Sequence, residues 1–176
     1  ILADEVGLGK TIEAGLVLSQ KWAERKRRVL VIVPSNLRKQ WHQELREKFA
    51  FDPRIVQPSQ IGRLERELPR PDQSIYEHYP CLVISIDFVK QDRQRDQFLR
   101  NAADLVIVDE AHIAARPRGQ ANRVQHERHN LVRKLAENPD RHLLLVTATP
   151  HNGIEESFRS LLGMLRPEFD VAAGTT

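Results

Sequence analysis

A candidate phosphate-binding loop lies near the start of the chain, where residues 7–11 read Gly-Leu-Gly-Lys-Thr. Glycines let a backbone approach phosphate oxygens closely, a lysine reaches the β- and γ-phosphates, and a threonine hydroxyl binds Mg²⁺. The usual loop has a further glycine where this chain has Asp4. We expect the Asp4 carboxylate to turn away from the phosphates or to hold waters of the metal. The structural alternative for this segment is a tight turn before a helix, with Lys10 in solvent.

A pair of adjacent carboxylates, Asp109 and Glu110, follows the apolar run 105–108. Phosphoryl transfer to water needs an acidic residue that holds Mg²⁺ and a second group that orients the attacking water. We assign Asp109 to the metal and Glu110 to the water. The alternative is an acidic strand-to-helix turn, which the upstream Lys10-Thr11 pair disfavours.

The elements that must position these groups alternate between apolar runs and amphipathic stretches. Continuous apolar runs are typical of strands buried on both faces of a parallel sheet. Such runs occupy residues 29–33, 81–86, 105–108 and 143–147, with two shorter candidates at 1–3 and 54–57. Helical patterns occupy residues 11–24, 37–49, 87–100, 122–137 and 157–165. This alternation predicts an α/β fold with a mostly parallel central sheet and helices on both faces.

Three further segments are expected to be irregular. The range 53–79 contains several prolines and many charges, so we predict loops and one short helix there. Residues 116–120 are interpreted as a surface loop, and residues 171–176 as a frayed end.

Three motifs in order carry a family resemblance. Residues 7–11, then Asp-Glu-Ala-His at 109–112, then Thr-Ala-Thr-Pro at 147–150 resemble motifs I, II (the DEAH box) and III of superfamily 2 helicases and translocases. The acidic residue at position 4 resembles the Swi/Snf-related branch, and residues 144–153 are similar to its prokaryotic members. The resemblance implies that residues 1–176 form one N-terminal RecA-like ATP-binding domain. It also implies a second RecA-like domain in the parent chain, which would supply an arginine finger.

The resemblance also implies roles for individual residues. Catalytic roles fall on Lys10, Asp109, Glu110 and His112. ATP contacts fall on Glu5, Val6, Gly7, Leu8, Gly9, Lys10 and Thr11, and Mg²⁺ contacts on Thr11 and Asp109. Nucleic-acid contacts fall on Pro34, Ser35 and Asn36 of motif Ia, which also includes Gln40 and Trp41. They fall as well on Ser85 and Asp87 of a second motif, motif Ib. Thr147 and Thr149 are expected to couple the two sites through hydrogen bonds with His112. The alternatives are a helix N-cap for Ser35 and a core position for Trp41.

Composition sets limits on other functions. The chain has 176 residues, a net charge of +3 and a pI near 9.2, which permits a nucleic-acid partner without requiring one. The single cysteine, Cys81, excludes an internal disulfide and a cysteine-based zinc site, and we expect it to be a buried, inert thiol. No apolar run approaches the roughly 18 residues that span a bilayer, so we expect a cytoplasmic protein with no membrane partner. Because the chain starts at Ile1 without Met, we interpret it as a fragment.

Weaker signals lie outside the motifs. The basic cluster 24–28 and the arginine-rich segment 116–123 are more typical of solvated surface than of nucleic-acid contacts. His126 and His129 have helical spacing, but no clear third ligand accompanies them, so a zinc site is disfavoured.

The sequence therefore predicts the ATP-binding half of a DNA-dependent motor that translocates on or remodels duplex DNA. We expect this chain by itself to hydrolyse ATP very slowly. One alternative is an RNA- or single-strand-directed helicase of the same superfamily. Another is a nucleotide-binding scaffold without catalysis, although Lys10, Asp109 and Glu110 argue against it. A small-molecule P-loop kinase is disfavoured by the Thr-Ala-Thr segment and the absence of an obvious lid.

Overall fold

A parallel sheet forms the centre of the chain. The computed structural model describes residues 1–3, 9–89, 92–101, 103–117, 123–148 and 155–169. Within these ranges the strands are β1 (Val29–Val33), β2 (Arg54–Val56), β3 (Cys81–Ser85), β4 (Leu105–Val108) and β5 (His142–Leu145). They lie in the order β2-β3-β1-β4-β5, each parallel to its neighbour. A parallel bridge from Leu2 to Val146 extends the sheet beyond β5.

Helices cover both faces of this sheet. They are α1 (Lys10–Ala23), α2 (Arg38–Phe49), α3 (Pro58–Arg66), α4 (Ile75–His78), α5 (Ile86–Val89), α6 (Asp92–Arg100), α7 (Arg123–Ala136) and α8 (Glu155–Leu165), with 3₁₀ turns at Ala111–Ala114 and Pro167–Phe169. Helices α1 and α2 bury their apolar residues in one core, and α3 to α8 pack on the opposite face. None of the helices in the described ranges is both long and apolar enough to cross a bilayer.

The central strands are apolar at every position because both of their faces are covered. In β1, Leu30 and Ile32 belong to one core, while Val29, Val31 and Val33 belong to the other. All five residues are buried. The predicted α/β architecture, with a parallel sheet between two helical layers, is confirmed.

The region 53–79 contains the predicted short strand, β2, and two helices, α3 and α4, where one short helix was expected. Pro58 occupies the first position of α3, where its missing N–H and fixed φ favour a helix start. Ser74 caps α4 by accepting a hydrogen bond from the Tyr76 backbone N–H at 3.2 Å. Proline and serine are common both in loops and at helix starts, and the sequence prediction took account only of the loop preference.

The helix predicted over residues 87–100 corresponds to α5 and α6, and residues 90 and 91 between them lie outside the described ranges. Helix α5 starts at Ile86, directly after β3, and ends at Val89; α6 starts at Asp92. The predicted helix at 122–137 appears as α7, and that at 157–165 as α8. The predicted frayed end at 171–176, and most of the predicted loop at 116–120, lie outside the described residues.

A close approach joins α1 to α2. A Cβ atom added to Gly15 would lie 2.2 Å from Cε2 of Phe49, far inside van der Waals contact. The absence of a side chain at Gly15 therefore lets the Phe49 ring lie on the backbone of α1. This contact fixes the two helices that follow the phosphate-loop motif and motif Ia.

Candidate functional site

The candidate residues converge because four parallel segments end at one edge of the sheet. Ile32 lies opposite Val108, and Val108 lies opposite Leu145. On the other side of β1, Val33 lies opposite Ser85. The residues that follow these strand ends therefore lie side by side at the carboxyl edge, where open α/β sheets bind ligands.

The phosphate-loop motif is described only at its end. Glu5, Val6, Gly7 and Leu8 lie outside the described residues, as does Asp4. Gly9 has a φ of 87°, a left-handed conformation that glycine adopts without strain, and α1 begins immediately after it at Lys10. Lys10 and Thr11 thus occupy the first turn of a helix, whose N-terminus favours anions.

The Asp109 carboxylate is held by a donor on each oxygen. Its backbone N–H donates to the Ile32 carbonyl at 2.8 Å, which continues the pairing of β4 with β1. Its Oδ2 accepts a hydrogen bond from Nε1 of Trp41 at 2.7 Å, and its Oδ1 accepts one from the Glu110 N–H at 2.8 Å. The carboxylate is consequently fixed in orientation, with further lone pairs available to a ligand.

Glu110 turns the chain out of the strand. Its φ of 50° and ψ of 44° are left-handed, a conformation that costs a non-glycine residue about 1 to 2 kcal/mol. The 3₁₀ turn starts at the next residue, where the Ala111 N–H donates to the Val146 carbonyl at 2.9 Å. This pairing with the end of β5 holds the strained turn in place.

His112 connects Glu110 to Thr147. Its Nδ1 lies 3.2 Å from Oε2 of Glu110 and 3.2 Å from Oγ1 of Thr147. Both oxygens lie at this distance from one ring nitrogen, so a proton on Nδ1 is placed to bond either the Glu110 carboxylate or the Thr147 hydroxyl. The predicted contact between Thr147 and His112 is therefore confirmed, whereas Thr149 lies outside the described residues.

Thr147 also touches the segment that leads into the phosphate loop. It is fully buried, and its backbone N–H donates to the Leu2 carbonyl at 3.0 Å. Thr147 therefore contacts His112 of motif II with its side chain and Leu2, which precedes motif I in the sequence, with its backbone.

The two predicted nucleic-acid motifs contact each other through hydroxyl groups. Oγ of Ser35 lies 2.9 Å from Oγ of Ser85, which also accepts the Asp87 N–H at 3.2 Å. Pro34 is half-buried, while Ser35 and Asn36 are exposed. Ser85 is 2% exposed, so its hydroxyl contacts Ser35 and is not itself available to nucleic acid. Pro34, Ser35, Asn36 and Asp87 form what we call the motif Ia–Ib surface.

Two interpretations of motif Ia are settled by the structure. The N-cap of α2 is Leu37, without a side-chain capping bond, so the N-cap alternative for Ser35 is wrong. Trp41 is 1% exposed and belongs to the core beneath α2, so that alternative is confirmed. A contact between nucleic acid and Trp41 is therefore excluded by burial.

Asp87 has an ion-pair partner that the sequence did not reveal. Nη2 of Arg128 donates to its Oδ1 at 2.7 Å and to its Oδ2 at 3.0 Å. The same helix, α7, carries His129, whose Nδ1 lies 3.0 Å from the Ala114 carbonyl oxygen. Helix α7 therefore braces motif Ib and the turn after motif II.

Two of the weaker signals, the His126–His129 pair and the basic cluster 24–28, lie outside the site. His129 is buried against Ala114 while His126 is exposed, and among the described residues no three His, Cys, Asp or Glu side chains form a group able to hold a metal ion. The basic cluster 24–28 ends just before β1, at the amino edge of the sheet, where Arg28 pairs with Asp104. This edge is opposite the site. Residues 118–122 of the arginine-rich segment lie outside the described ranges.

The side-chain oxygens of Asp109 and Thr11 are suitable ligands for Mg²⁺. This ion prefers hard oxygen ligands and is usually bound through one or two carboxylates together with phosphates and water. The Asp109 carboxylate and the Thr11 hydroxyl are oxygen donors, and both residues are half-buried, so they are accessible to a ligand. The residues present therefore fit the ion that the motifs imply.

Sequence reasoning missed two side chains that hold the site. Trp41 and Arg128 are separated from their partners by 68 and 41 positions along the chain. The apolar repeat Leu37, Trp41, Leu45 and Phe49 signals burial of the tryptophan, but a periodic pattern does not specify the acceptor of a buried N–H group. The spacing of residues around Arg128 does not indicate that it pairs with Asp87.

Comparison with known proteins gives a consistent result at the level of sequence. A model of the SNF2-related domain family matches residues 1–170. The chain is 35% identical over 170 residues to the RNA polymerase-associated protein RapA of Yersinia pestis (strain Pestoides F). The match covers 96% of this chain and 17% of that relative, so the chain spans about a sixth of the relative's length.

Solved structures with the same fold include an ATPase core and a helicase. The Sulfolobus solfataricus SWI2/SNF2 ATPase core in complex with double-stranded DNA matches with a TM-score of 0.67 and 21% identity, over 94% of this chain and 31% of that one. The UvsW helicase from bacteriophage T4 matches with a TM-score of 0.63 and 14% identity, over 93% and 51% respectively. At these identities the likeness supports the fold alone.

Proposed function

This chain belongs to the SNF2-related domain family, and we propose that it is the ATP-binding half of a motor that hydrolyses ATP to move on or remodel duplex DNA. The observation that carries this proposal is the arrangement at one sheet edge. Neighbouring parallel segments end at this edge. They are followed by the helix start at Lys10, by the pair Asp109–Glu110, and by Thr147, which contacts His112.

Each group in this arrangement has a chemical task in ATP hydrolysis. Lys10, at the first turn of α1, pairs with the β- and γ-phosphates, and the Thr11 hydroxyl and the Asp109 carboxylate hold the metal and its waters. When bound, Mg²⁺ supplies positive charge that stabilises the developing charge on the phosphates. We assign ATP contacts also to Glu5, Val6, Gly7, Leu8 and Gly9.

Glu110 orients the attacking water. With the proton on Nδ1 of His112, Oε2 of Glu110 accepts a hydrogen bond from the imidazole, and the other carboxylate oxygen can accept one from water. Oγ1 of Thr147 lies 3.2 Å from the same ring nitrogen. Glu110 and His112 therefore act together, one on the water and the other on the carboxylate.

The motif Ia–Ib surface is proposed to contact the nucleic-acid backbone. Hydroxyl, amide and backbone N–H groups commonly bind phosphate without reading the base sequence. Ser35 and Asn36 are exposed at the carboxyl edge, beside the proposed ATP site. Duplex DNA is favoured because the chain belongs to the SNF2-related family and shares the fold of an ATPase core solved with double-stranded DNA.

Efficient hydrolysis is proposed to need a second RecA-like domain in the parent chain. The chain covers 17% of its relative RapA, which leaves room for further domains in proteins of this type. An arginine finger from such a domain can raise turnover by orders of magnitude. Robust turnover by this chain alone would contradict this part of the proposal.

Nucleotide binding by the chain tests the proposal directly. A fluorescent ATP analogue is titrated with and without Mg²⁺ into the chain, into Lys10→Ala and into the control Lys134→Ala, an exposed lysine on α7. We expect weak, Mg²⁺-dependent binding that is lost in Lys10→Ala and kept in Lys134→Ala. Equal binding by all three proteins would show that the loop is not the phosphate site.

A further inference from the structure

The indole of Trp41 is a buried polar group that the proposed reaction does not yet use. It lies in the second turn of α2, is 1% exposed, and donates from Nε1 to Oδ2 of Asp109 at 2.7 Å. A buried indole N–H requires an acceptor, and a bond to a carboxylate is shorter and stronger than one to a neutral oxygen. The acceptor here is the carboxylate assigned to the metal.

We propose that Trp41 is a positioning residue for Asp109, a role that rests on the proposed function of this carboxylate in holding Mg²⁺. A carboxylate rotates easily about its last side-chain torsion, because that torsion has broad minima. The Glu110 N–H restrains one oxygen of Asp109, and the Trp41 indole restrains the other. Two donors on different oxygens fix the plane of the carboxylate before the ion arrives.

The indole also joins the carboxylate to the proposed nucleic-acid surface. Helix α2 begins at Arg38, and its N-cap, Leu37, directly follows Pro34, Ser35 and Asn36. At its other end, α2 packs on α1 through the contact of Phe49 with Gly15. A shift of α2 caused by backbone contacts at residues 34–36 would therefore reach Asp109 through this hydrogen bond.

The role of the hydrogen bond is separable from the role of packing. Phenylalanine would keep most of the apolar surface of the buried indole but lacks an N–H donor. Trp41→Phe therefore leaves Oδ2 of Asp109 without its donor. Groups that orient a metal-binding side chain typically change metal affinity by roughly tenfold to a hundredfold when they are removed.

The chain offers a matched control, because it contains two tryptophans. Trp22 is half-buried at the end of α1, where its ring meets the edge of Phe51 at 5.1 Å and lies under Arg27. It has no part in the proposed site. Trp22→Phe thus makes the same chemical change elsewhere and leaves Trp41 as the remaining indole.

The first measurement uses the ¹⁵N-labelled Trp22→Phe chain and its single indole N–H resonance. We expect this signal to exchange slowly with solvent, to move when Asp109→Ala is added, and to shift on titration with Mg²⁺ and ADP. This readout does not require a Trp41 variant to fold. A resonance that is unchanged by Asp109→Ala would overturn the inference.

The second measurement compares the Mg²⁺ concentration that half-saturates binding of a fluorescent ADP analogue. We expect Trp41→Phe to need roughly tenfold more Mg²⁺ than Trp22→Phe, with metal-free nucleotide affinity and far-ultraviolet circular dichroism unchanged. Equal Mg²⁺ midpoints in the two variants would overturn the positioning role alone. Absence of Mg²⁺-dependent binding in the unmodified chain would instead overturn the proposed function, and the positioning role with it.

Discussion

Nδ1 of His112 lies 3.2 Å from Oε2 of Glu110. The two residues belong to one turn, and the left-handed conformation of Glu110 brings the carboxylate back toward the imidazole. The strained backbone at Glu110 therefore places its carboxylate beside the His112 imidazole, which can orient it. The same imidazole contacts Thr147, so the orientation of Glu110 depends on the segment after β5.

Loss of His112 should slow the chemical step more than it weakens binding. We expect His112→Ala to lower ATP turnover of the parent protein by about tenfold or more, because the water-orienting carboxylate loses its fixed position. Nucleotide affinity should change little, since His112 is not assigned to the phosphates. Steady-state kinetics measure both, with exposed His126→Ala as the control. Unchanged turnover in His112→Ala would remove His112 from the mechanism.

Arg128 should influence nucleic-acid binding without touching the nucleic acid. Its bidentate pair with Asp87 offsets a carboxylate on the proposed motif Ia–Ib surface. Arg128→Met should therefore weaken affinity for duplex DNA by a few-fold, with the largest effect at low salt, where charges are screened least. Fluorescence anisotropy with a labelled duplex checks this.

The control for that experiment is Arg123→Met. Arg123 lies on the same helix, is exposed, and pairs with Glu127 rather than with Asp87. The two variants lose the same charge, so net charge alone would affect both equally. Equal affinities in the two variants would contradict a specific role for the Arg128–Asp87 pair.

Gly15 and Gly62 should respond oppositely to the same substitution. A methyl group on Gly15 would meet the Phe49 ring at 2.2 Å, so we expect Gly15→Ala to lower the free energy of unfolding by roughly 1 to 3 kcal/mol. At Gly62 in α3 the nearest atom would be 4.0 Å away, so Gly62→Ala should be stabilising by up to about 1 kcal/mol. Urea unfolding measures both, and a stabilised Gly15→Ala would contradict the close helix contact.

Cys81 should be unreactive in the folded chain. The residue is buried at the start of β3, and burial raises the pKa of its thiol from 9.0 to about 12. The thiolate that reacts with alkylating reagents is therefore scarce near neutral pH. We expect reaction with iodoacetamide at about pH 8 only after unfolding in urea. Rapid alkylation of the native chain would contradict the predicted inert thiol.

The same shift makes stability depend on alkaline pH. The pKa of the Cys81 thiol is higher in the folded chain than in the unfolded chain. The stability that the protonated thiol contributes is therefore complete below about pH 9, the unfolded pKa, and is lost as the pH rises toward 12. The slope is about 1.4 kcal/mol per pH unit in that interval. The unmodified chain should thus lose more stability than Cys81→Ala between pH 9 and 12, and parallel losses would contradict the shift.

The fold was predictable where one physical cause dominates the sequence. The apolar runs of β1, β3 and β4 are buried on both faces, so their composition alone specifies a covered parallel strand. The sequence predicted one helix too few in residues 53–79. Pro58 and Ser74 favour both loops and helix starts, and only tertiary packing decides between the two.

The candidate site was predictable as a set of motifs and not as a network. Asp109 and Glu110 stand out because two adjacent carboxylates follow an apolar strand. Trp41 and Arg128 do not stand out, since their partners are distant in sequence and become neighbours only when α2 and α7 pack against the sheet. The hydroxyl contact between Ser35 and Ser85 has the same origin, because it follows from the pairing of β1 with β3.

We propose that this chain builds a site that hydrolyses ATP in response to nucleic acid, with Glu110 as the group that orients water. The most direct measurement is ATP hydrolysis by the complete parent protein and by its Glu110→Gln variant, each with duplex DNA, single-stranded DNA, RNA or no polynucleotide. We predict that duplex DNA stimulates hydrolysis most and that Glu110→Gln abolishes the activity while nucleotide binding remains. Stimulation by RNA or single strands would instead indicate a helicase, and hydrolysis that is absent under every condition or unaffected by Glu110→Gln would contradict the account.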